Sequence, residues 1–233
     1  MKVYVGYDSR EDDAYRVCEY SLTRRGDVTV VPLIQSDLRA RGLYNREPDV
    51  GAATEFSLTR FLTPALADEQ FVVFVDCDFL FLADINTVMD EIDPSKAVSV
   101  VQHDYKPTET VKMDGCVQTI YPRKNWSSFM VFNTEHPACR ALTPEMVNFA
   151  TPAYLHRFGW CDDKDIGSLS VDWNYLEGWY PADHKPKAIH YTRGGPWFEN
   201  MKNCDFAEEW QEEWKSYLSN CGRKPTSTDT PAG

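Results

Sequence analysis

Short apolar runs alternate with polar, helix-like stretches along this chain, and the pattern predicts strands and helices that follow one another. Apolar runs at residues 2–7 and 28–33 predict two short strands. The run Phe71–Val75 is apolar at every position and rich in β-branched and aromatic residues, which is typical of a strand buried on both faces of a parallel sheet. Residues 97–102 and 127–132 predict two further strands.

Helices are predicted between these strands. Asp8 or Ser9 can cap a first helix, residues 55–62 have helical spacing, and a helix is predicted near residues 144–149. Residues 106–124 are polar and contain turn-forming glycine and proline, which predicts a long surface excursion. Strands that alternate with helices favour an α/β fold with a mostly parallel, doubly wound central sheet, whose ligands bind beyond the carboxyl ends of the strands.

The last part of the chain has one more helical pattern and then a polar tail. Trp210, Trp214 and Tyr217 share one helical face, and an aromatic stripe at this spacing is typical of core packing. We therefore expect a docked C-terminal helix with no binding role. The length favours a single domain over residues 1–221, followed by a disordered tail over residues 222–233.

Composition excludes several classes of protein. The chain has 233 residues, of which 42% are hydrophobic and 13% aromatic, so it can bury a core and is not a disordered protein. No apolar run approaches the roughly 18 residues that would predict a membrane span. The N-terminus becomes charged within a few residues, which predicts that no export signal is present and that the protein is cytoplasmic. The seven cysteines stand singly and are expected to be reduced thiols.

The net charge restricts the partners. Lysine and arginine number 24 and aspartate and glutamate 36, which gives a formal charge of −12. Such a field repels nucleic acids and acidic membranes, so neither is an expected partner. An anionic small-molecule substrate would need a local cation, and a metal ion could supply it.

Asp76 and Asp78 are the sharpest candidates for chemistry. They follow the buried strand Phe71–Val75 directly, and strand alternation points both carboxylates the same way, at the edge where ligands bind. Two carboxylates there can hold a divalent cation. The alternative is a pair of loop or capping aspartates, although two such charges would be costly without a cation.

An ordered set of short motifs resembles the GT-A-fold glycosyltransferases that use nucleotide sugars, especially glycosyltransferase family 8. These motifs are Tyr7 with Asp8, FSLTRFLTP at residues 56–64, Asp76-Cys77-Asp78, WSSFMVFN at residues 126–133, DKDIGS at residues 163–168 and HYTRGGPW at residues 190–197. The resemblance implies a GT-A-like sheet and a hexosyltransferase-type reaction. In it, sugar passes from a nucleotide sugar, expected to be a UDP-sugar, to an unidentified acceptor with retention of configuration.

The resemblance also implies roles for single residues. Asp76, Asp78 and His190 would hold Mn²⁺ or Mg²⁺, and Asp76 would also meet the sugar or ribose. For His190 a structural role is the alternative. Asp163 and Lys164 would act at the reacting sugar, against the alternative that this is a solvated acidic loop. The implied substrate contacts are Tyr7, Asp8, Arg60, Asp76, Asn133, Asp165, Arg193, Gly194, Gly195 and Trp197.

Two of these contacts have plain structural alternatives. Asp8, which would meet the nucleoside, could simply cap a helix. Arg60, which would face the sugar or diphosphate, could be a surface arginine of its helix.

Three departures indicate a distant branch of the family. The pattern HxxGxxKPW lacks its lysine here, so that a phosphate contact is lost or supplied by Arg193. Trp126 and Ser128 replace the leading Asn and the Gly of NSGVMLFN, and Lys164 replaces the Gln of DQD.

Two rival functions remain open at this point. A haloacid-dehalogenase-like phosphatase also places a DxD pair after a buried strand, with Asp76 as nucleophile, and Asp162 with Asp163 could imitate its later acidic pair. A module that binds a nucleotide sugar without turnover would explain the missing lysine and the altered strand motif.

Overall fold

The computed structural model describes residues 1–47, 54–104 and 122–221. The expected tail at residues 222–233, and the excursion up to residue 121, lie outside the described residues. The strands are β1 Lys2–Gly6, β2 Thr29–Leu33, β3 Phe71–Val75, β4 Phe79–Phe81, β5 Val98–Val100, β6 Phe129–Asn133, β7 Ile166–Ser168, β8 Tyr175–Leu176 and β9 Ala188–His190. The α-helices are α1 Asp12–Arg25, α2 Gln35–Ala40, α3 Thr63–Leu66, α4 Pro137–Arg140, α5 Pro144–Phe149, α6 Pro152–His156 and α7 Ala207–Cys221.

A six-stranded sheet with the order β2-β1-β3-β6-β5-β7 forms the centre of the fold. β1 pairs in parallel with β2 and β3, and β7 pairs in parallel with β5. β6 runs antiparallel to both of its neighbours, β3 and β5. Five strands therefore point one way and β6 the other, which confirms the expected α/β class with a mostly parallel sheet.

A second, three-stranded sheet with the order β4-β9-β8 begins immediately after Asp78. β4 and β9 are antiparallel, and their register places Phe79 opposite His190. β8 lies on the other side of β9 and runs parallel to it. This small sheet brings a segment more than a hundred residues downstream next to the end of β3.

Burial follows the apolar pattern of the sequence. Positions 72–75 of β3 are completely buried, as expected for a central strand. Trp210 of α7 packs in a cluster with Val17, Leu80 and Tyr191, so the core role expected for the aromatic stripe is confirmed at this residue. No helix in the described ranges is both long and apolar enough to cross a bilayer.

The segment before β3 differs from the expected helix. Residues 55–58 form turns, Thr59–Leu62 form a 3-10 helix, and α3 then begins at Thr63. Pro64 was expected to end a helix, but it lies in the first turn of one. Proline is tolerated there because the N–H groups of a first turn have no partner within the helix.

Glu213 is a buried carboxylate that attaches α7 to α1 through ion pairs with Arg24 and Arg25. Its side chain is 3% exposed and accepts hydrogen bonds from Arg24 at 2.9 Å and from Arg25 at 2.8 and 3.0 Å. When one partner of a buried ion pair loses its charge, the remaining charge is left without full compensation by protein or water, which destabilises the fold.

We expect Glu213→Gln to lower the free energy of unfolding by about 1–3 kcal/mol, because the neutral amide cannot match two guanidinium groups. The exposed neighbour Glu212 offers a matched control, and Glu212→Gln should change the stability by less than about 0.5 kcal/mol. Urea denaturation of the three proteins measures the difference. Equal stabilities of the two variants would contradict the role assigned to this contact.

Candidate functional site

One edge of the central sheet collects most of the candidate residues, and we call it the carboxyl edge because β1, β3 and β5 end there. Val5 lies opposite Val75 in the parallel pair of β1 and β3. Tyr7 and Asp8 therefore leave β1 beside Asp76, which follows β3. The antiparallel β6 begins at the same edge, where the Asp76 N–H donates to the Ser128 carbonyl at 3.0 Å.

Asp76, Asp78 and His190 converge at this edge. One ligand atom from each lies within 4.8 Å of the others, and no other such group of three is found among residues 1–47, 54–104 and 122–221. His190 Nε2 is 3.4 Å from Asp78 Oδ1, and the histidine is 2% exposed. The β4–β9 pairing fixes this geometry, since the His190 ring stacks on Phe79 at 4.4 Å and the Tyr191 N–H donates to the Asp78 carbonyl at 3.0 Å.

The other ring nitrogen of His190 is held by Asn174. The Asn174 Nδ2 group donates to the Asn125 carbonyl at 3.1 Å and to Ser128 Oγ at 2.9 Å, which turns its Oδ1 toward His190. Nδ1 of His190 lies 2.8 Å from that oxygen and must donate to it, because an amide oxygen can only accept. In the neutral ring, Nε2 therefore carries the lone pair and points it at Asp78.

This arrangement fits a divalent cation. A lone pair and a carboxylate oxygen that face each other at 3.4 Å repel unless a positive charge lies between them. Two carboxylates with one imidazole are ligands that Mn²⁺ accepts. A hydrogen bond to the far nitrogen is also the usual way in which a protein orients a histidine ligand. The donor set therefore fits a divalent cation, as the sequence predicts.

Arg60 supplies positive charge on the other side of Asp76. It is 6% exposed, and its Nη1 lies 2.8 Å from Asp76 Oδ1 and 2.9 Å from the Ser127 carbonyl. The guanidinium also lies 5.2 Å from the ring centres of both Phe56 and Phe74. The alternative of a surface arginine is therefore wrong, while a contact between Arg60 and a substrate stays a prediction.

His156 lies behind Arg60 as a neutral base. Its Nδ1 is 2.9 Å from Ser127 Oγ, and its ring packs edge-on against Phe61. Burial, with a smaller contribution from the charge of Arg60, lowers the pKa of His156 to about 3.

Asp8 lies at the carboxyl edge with a fully buried side chain. It accepts hydrogen bonds from the Arg10 N–H at 3.0 Å, from the Arg10 guanidinium at 2.7 and 2.9 Å, and from the Glu55 N–H at 3.1 Å. Burial raises the pKa of Asp8, but these hydrogen bonds outweigh it and leave the pKa below its usual value. The capping role is therefore observed, and a contact to a nucleoside stays a prediction.

Tyr7 stands next to Asp8 and donates to Asp12 Oδ1 at 3.0 Å. That hydrogen bond raises the pKa of its phenol. Its expected contact with substrate likewise stays a prediction.

Arg193 is engaged by a buried carboxylate. Its guanidinium lies 3.1 Å from both oxygens of Glu177, which also accepts the Asp205 N–H at 3.2 Å. Burial raises the pKa of Glu177 in spite of the opposing effect of Arg193. Gly178, with φ of +66°, leaves the space that the guanidinium fills, and any Cβ there would collide with it. The phosphate contact expected of Arg193 stays a prediction, and Glu177 competes for the same group.

The GGPW segment after Arg193 packs as part of the fold. Trp197 contacts Tyr191 and Trp210 at ring distances of 5.8 and 5.7 Å. A side chain at Gly195 would collide with the Trp197 ring, and Gly194 has a φ of +106°. Their expected contacts with substrate stay predictions beside this structural role.

Strand directions place three expected site residues away from the carboxyl edge. Asn133 ends the antiparallel β6 opposite Phe71, at the start of β3. Asp165 precedes β7, where its carbonyl accepts the Ala97 N–H at 2.8 Å. Its backbone therefore lies about 16 Å from the level of Asp76 along the strand direction, at roughly 3.3 Å per residue over five residues. The Lys164 carbonyl accepts from Lys96 at the same end.

This geometry corrects the expectation of a substrate contact for Asn133 and Asp165 and of a role at the reacting sugar for Lys164. Asp163 is 83% exposed and pairs with Arg123 at 2.6 Å, so it too is not brought to Asp76. Lys164 and Asp165 lie there because a segment that leads into a strand parallel to β5 must begin at the edge opposite to the one where β5 ends. Asn133 lies there because β6 is antiparallel and ends at that opposite edge.

Asn174 and His103 lie at the carboxyl edge but were not predicted from the sequence, and Ser128 was identified there only as a departure from the family motif. Asn174 follows a tryptophan in a polar stretch and has no motif of its own. The available signal was its place 16 residues before His190 in a short loop that leads into β8. That signal does not single out a ligand-orienting amide.

No protein-family model matches the chain. A curated relative, Protein CDI of Arabidopsis thaliana, is 54% identical over 225 residues, which cover 93% of this chain and 87% of that protein. The chain belongs to the Protein CDI family. The name states no activity, so the function of this CDI-family chain is inferred from its fold and its site.

Solved structures with the same fold are glycosyltransferases. GlyE of Streptococcus pneumoniae TIGR4 matches with a TM-score of 0.61 at 13% identity, covering 98% of the CDI-family chain, which spans only 65% of GlyE. The galactosyltransferase LgtC matches with a TM-score of 0.60 at 11% identity, covering 93% of this chain and 96% of LgtC. Identities this low show a shared GT-A fold, and family 8 is not singled out.

We expect Asn174→Leu to weaken Mn²⁺ binding about 10-fold to 100-fold, because His190 loses the group that fixes its orientation. Asn148→Leu is the matched control, since Asn148 is also an amide that donates to backbone carbonyls, those of Leu43 and Pro144, and it makes no hydrogen bond to His190. Calorimetric titration with Mn²⁺ measures the effect. Equal affinities in both variants would show that Asn174 does not orient a ligand.

We expect the folded protein to lose stability in acid through His156. Below about pH 6.5 His156 binds a proton in the unfolded chain, whereas in the folded chain it stays neutral down to about pH 3. The free energy of unfolding therefore falls as the pH falls. From pH 7 to pH 5 this single group lowers it by up to about 2 kcal/mol. Denaturation of His156→Phe should show a shallower decline below pH 6.5 and a parallel course from pH 7 to 8. A difference that is constant with pH would contradict the assignment.

Proposed function

We propose that this CDI-family protein is a metal-dependent glycosyltransferase that moves a sugar from a UDP-sugar to an acceptor. The observation that carries the proposal is the Asp76–Asp78–His190 group at the carboxyl edge of a GT-A sheet. LgtC, which shares the fold, is known in complex with donor and acceptor sugar analogues. By analogy we propose a nucleotide-sugar donor and a carbohydrate acceptor, with retention as in family 8.

Asp76, Asp78 and His190 would hold Mn²⁺ or Mg²⁺. When bound, the ion supplies positive charge that stabilises the departing nucleoside diphosphate. Asn174 keeps Nε2 of His190 turned inward, and Arg60 keeps Asp76 in place while it adds a second positive charge. These local charges matter because the whole chain carries −12, a field that would otherwise repel a diphosphate.

In the proposed reaction the bond between the anomeric carbon and the phosphate oxygen breaks, and the bond to the acceptor oxygen forms. UDP leaves intact, and the acceptor proton departs with it or with solvent. Tyr7 and Asp8, at the end of β1, are proposed to lie toward the nucleoside. Asp163 and Lys164 are given no part in this step, because their segment lies at the edge of the sheet opposite to the carboxyl edge.

A binding module without turnover is the second candidate. Arg193 is paired with Glu177, and no lysine precedes Pro196, so the phosphate contacts of the family motif are incomplete. The phosphatase alternative is less well supported. The acidic pair that it needs, Asp162 and Asp163, is solvent-exposed in the segment that leads into β7.

We expect Asp78→Asn to lower the Mn²⁺-dependent affinity for UDP at least tenfold and to abolish release of UDP from UDP-sugars, because the metal site loses a charge. Asp90→Asn changes an exposed aspartate at the end of the 3-10 helix Ile85–Asp90 and should leave both quantities unchanged. Calorimetry with UDP and a product assay with several UDP-sugars and Mn²⁺ provide the measurements.

Parallel assays of UDP and inorganic phosphate separate the candidates. UDP without phosphate supports the glycosyltransferase, and phosphate without UDP supports the phosphatase. Tight Mn²⁺-dependent binding with neither product supports the binding module. If neither a chelator nor Asp78→Asn changes the affinity for the nucleotide, a role of a bound metal in nucleotide binding is excluded.

A further inference from the structure

His103 occupies the carboxyl edge although no motif in the sequence marks it. It follows β5 by three residues, and its carbonyl accepts the Trp126 indole N–H at 3.0 Å. Its side chain is buried, with 6% of the residue exposed, and Nδ1 lies 2.9 Å from the Tyr180 hydroxyl. Tyr180 comes from the turn after β8, so the ring is held between the large and the small sheet.

The second ring nitrogen of His103 has no protein partner. Nε2 is buried from solvent, and none of the residues in the described ranges hydrogen bonds to it. A buried polar atom without a partner is destabilising, and native proteins rarely keep one without a reason. At a ligand-binding edge, that reason can be a polar atom of the ligand.

The surroundings of His103 select a neutral partner. Burial, and to a lesser extent the nearby His190, lower the pKa of His103 to about 3, so the imidazole is uncharged at neutral pH. An uncharged ring cannot offset the charge of a phosphate. It can exchange one hydrogen bond with a hydroxyl group, which donates or accepts as the tautomer requires. β5 ends at the carboxyl edge, and Trp126, which donates to the His103 carbonyl, lies just before β6 at the same edge, so His103 is on the side of the sheet where a sugar attached to the diphosphate would lie.

We infer that His103 is a specificity-determining residue that hydrogen bonds through Nε2 to a hydroxyl of the donor sugar, with Tyr180 as its positioning residue. This inference rests on the proposed function and names the part of the donor that His103 would recognise, which is the sugar. The nucleotide and the diphosphate are bound by other groups, so His103 should affect only the sugar.

Amide side chains can separate the two ring nitrogens. In His103→Gln the amide reaches the position of Nε2, whereas in His103→Asn it reaches only the position of Nδ1 and Tyr180. His103→Leu removes both polar atoms, and Tyr180→Phe leaves Nε2 present but releases the ring. Two quantities are measured for each variant: the Kd for UDP with Mn²⁺, and kcat/KM for UDP release from whichever of UDP-glucose, UDP-galactose, UDP-xylose and UDP-N-acetylglucosamine the parent cleaves fastest.

We expect the Kd for UDP to stay within twofold in all four variants, because UDP lacks the transferred sugar whose hydroxyl His103 is inferred to contact. The kcat/KM should fall about tenfold in His103→Leu and His103→Asn, as expected for one lost hydrogen bond. It should fall less in Tyr180→Phe and recover within about threefold of the parent in His103→Gln.

Three results would overturn the inference. They are an unchanged kcat/KM in His103→Leu, an equal loss in His103→Gln and His103→Asn, or a Kd for UDP that rises as much as kcat/KM falls. If the parent binds UDP with Mn²⁺ and cleaves a donor while His103→Leu matches it, only the role of His103 is lost. If the parent neither binds UDP nor releases it, the proposed function fails and the inference fails with it.

Discussion

Electrostatic repulsion between Asp76 and Asp78 is the constraint on which the rest of the site depends. Both carboxylates lie at the end of a completely buried strand, with oxygens within 4.8 Å of each other. Like charges this close and this poorly solvated are costly unless positive charge compensates them. Arg60 compensates the first carboxylate, whereas His190 turns a lone pair toward the second, so a bound cation would have to supply the remaining positive charge. The turn that carries Arg60 places the first compensating charge, and the small sheet and Asn174 place the histidine that would help to hold the cation.

The sequence was sufficient to predict the parts of the site that depend on local pattern. Phe71–Val75 could be recognised as a central strand because a wholly apolar, β-branched run has few other stable places in an α/β protein. Once that strand was placed, the carboxylates after it had to emerge at its end. His190 required the resemblance to known glycosyltransferases, since a single histidine after an apolar residue does not indicate a metal ligand.

The direction of a strand could not be predicted in the same way. Alternation and apolarity read the same in both directions, so the pattern at residues 127–132 predicted a strand without showing that β6 runs opposite to its neighbours. That reversal sends Asn133 to the far edge, and the parallel pairing of β7 sends Asp165 there too. Asn174 and His103 were missed for a related reason, because their roles depend on contacts with residues far away in the sequence.

The pairing of Arg193 with Glu177 makes the metal more important here than the family motif alone would imply. To reach a diphosphate, Arg193 would have to leave a glutamate that is 1% exposed, and uncovering a buried carboxylate costs several kcal/mol. With the motif lysine absent as well, the segment His190–Trp197 contains no lysine or arginine other than Arg193. Arg60 contributes one charge, but Asp76 already shares it. A divalent cation held by Asp76, Asp78 and His190 would supply the positive charge that a diphosphate needs at this edge. The loss of the motif lysine would therefore make this chain more dependent on the metal that the acidic pair holds.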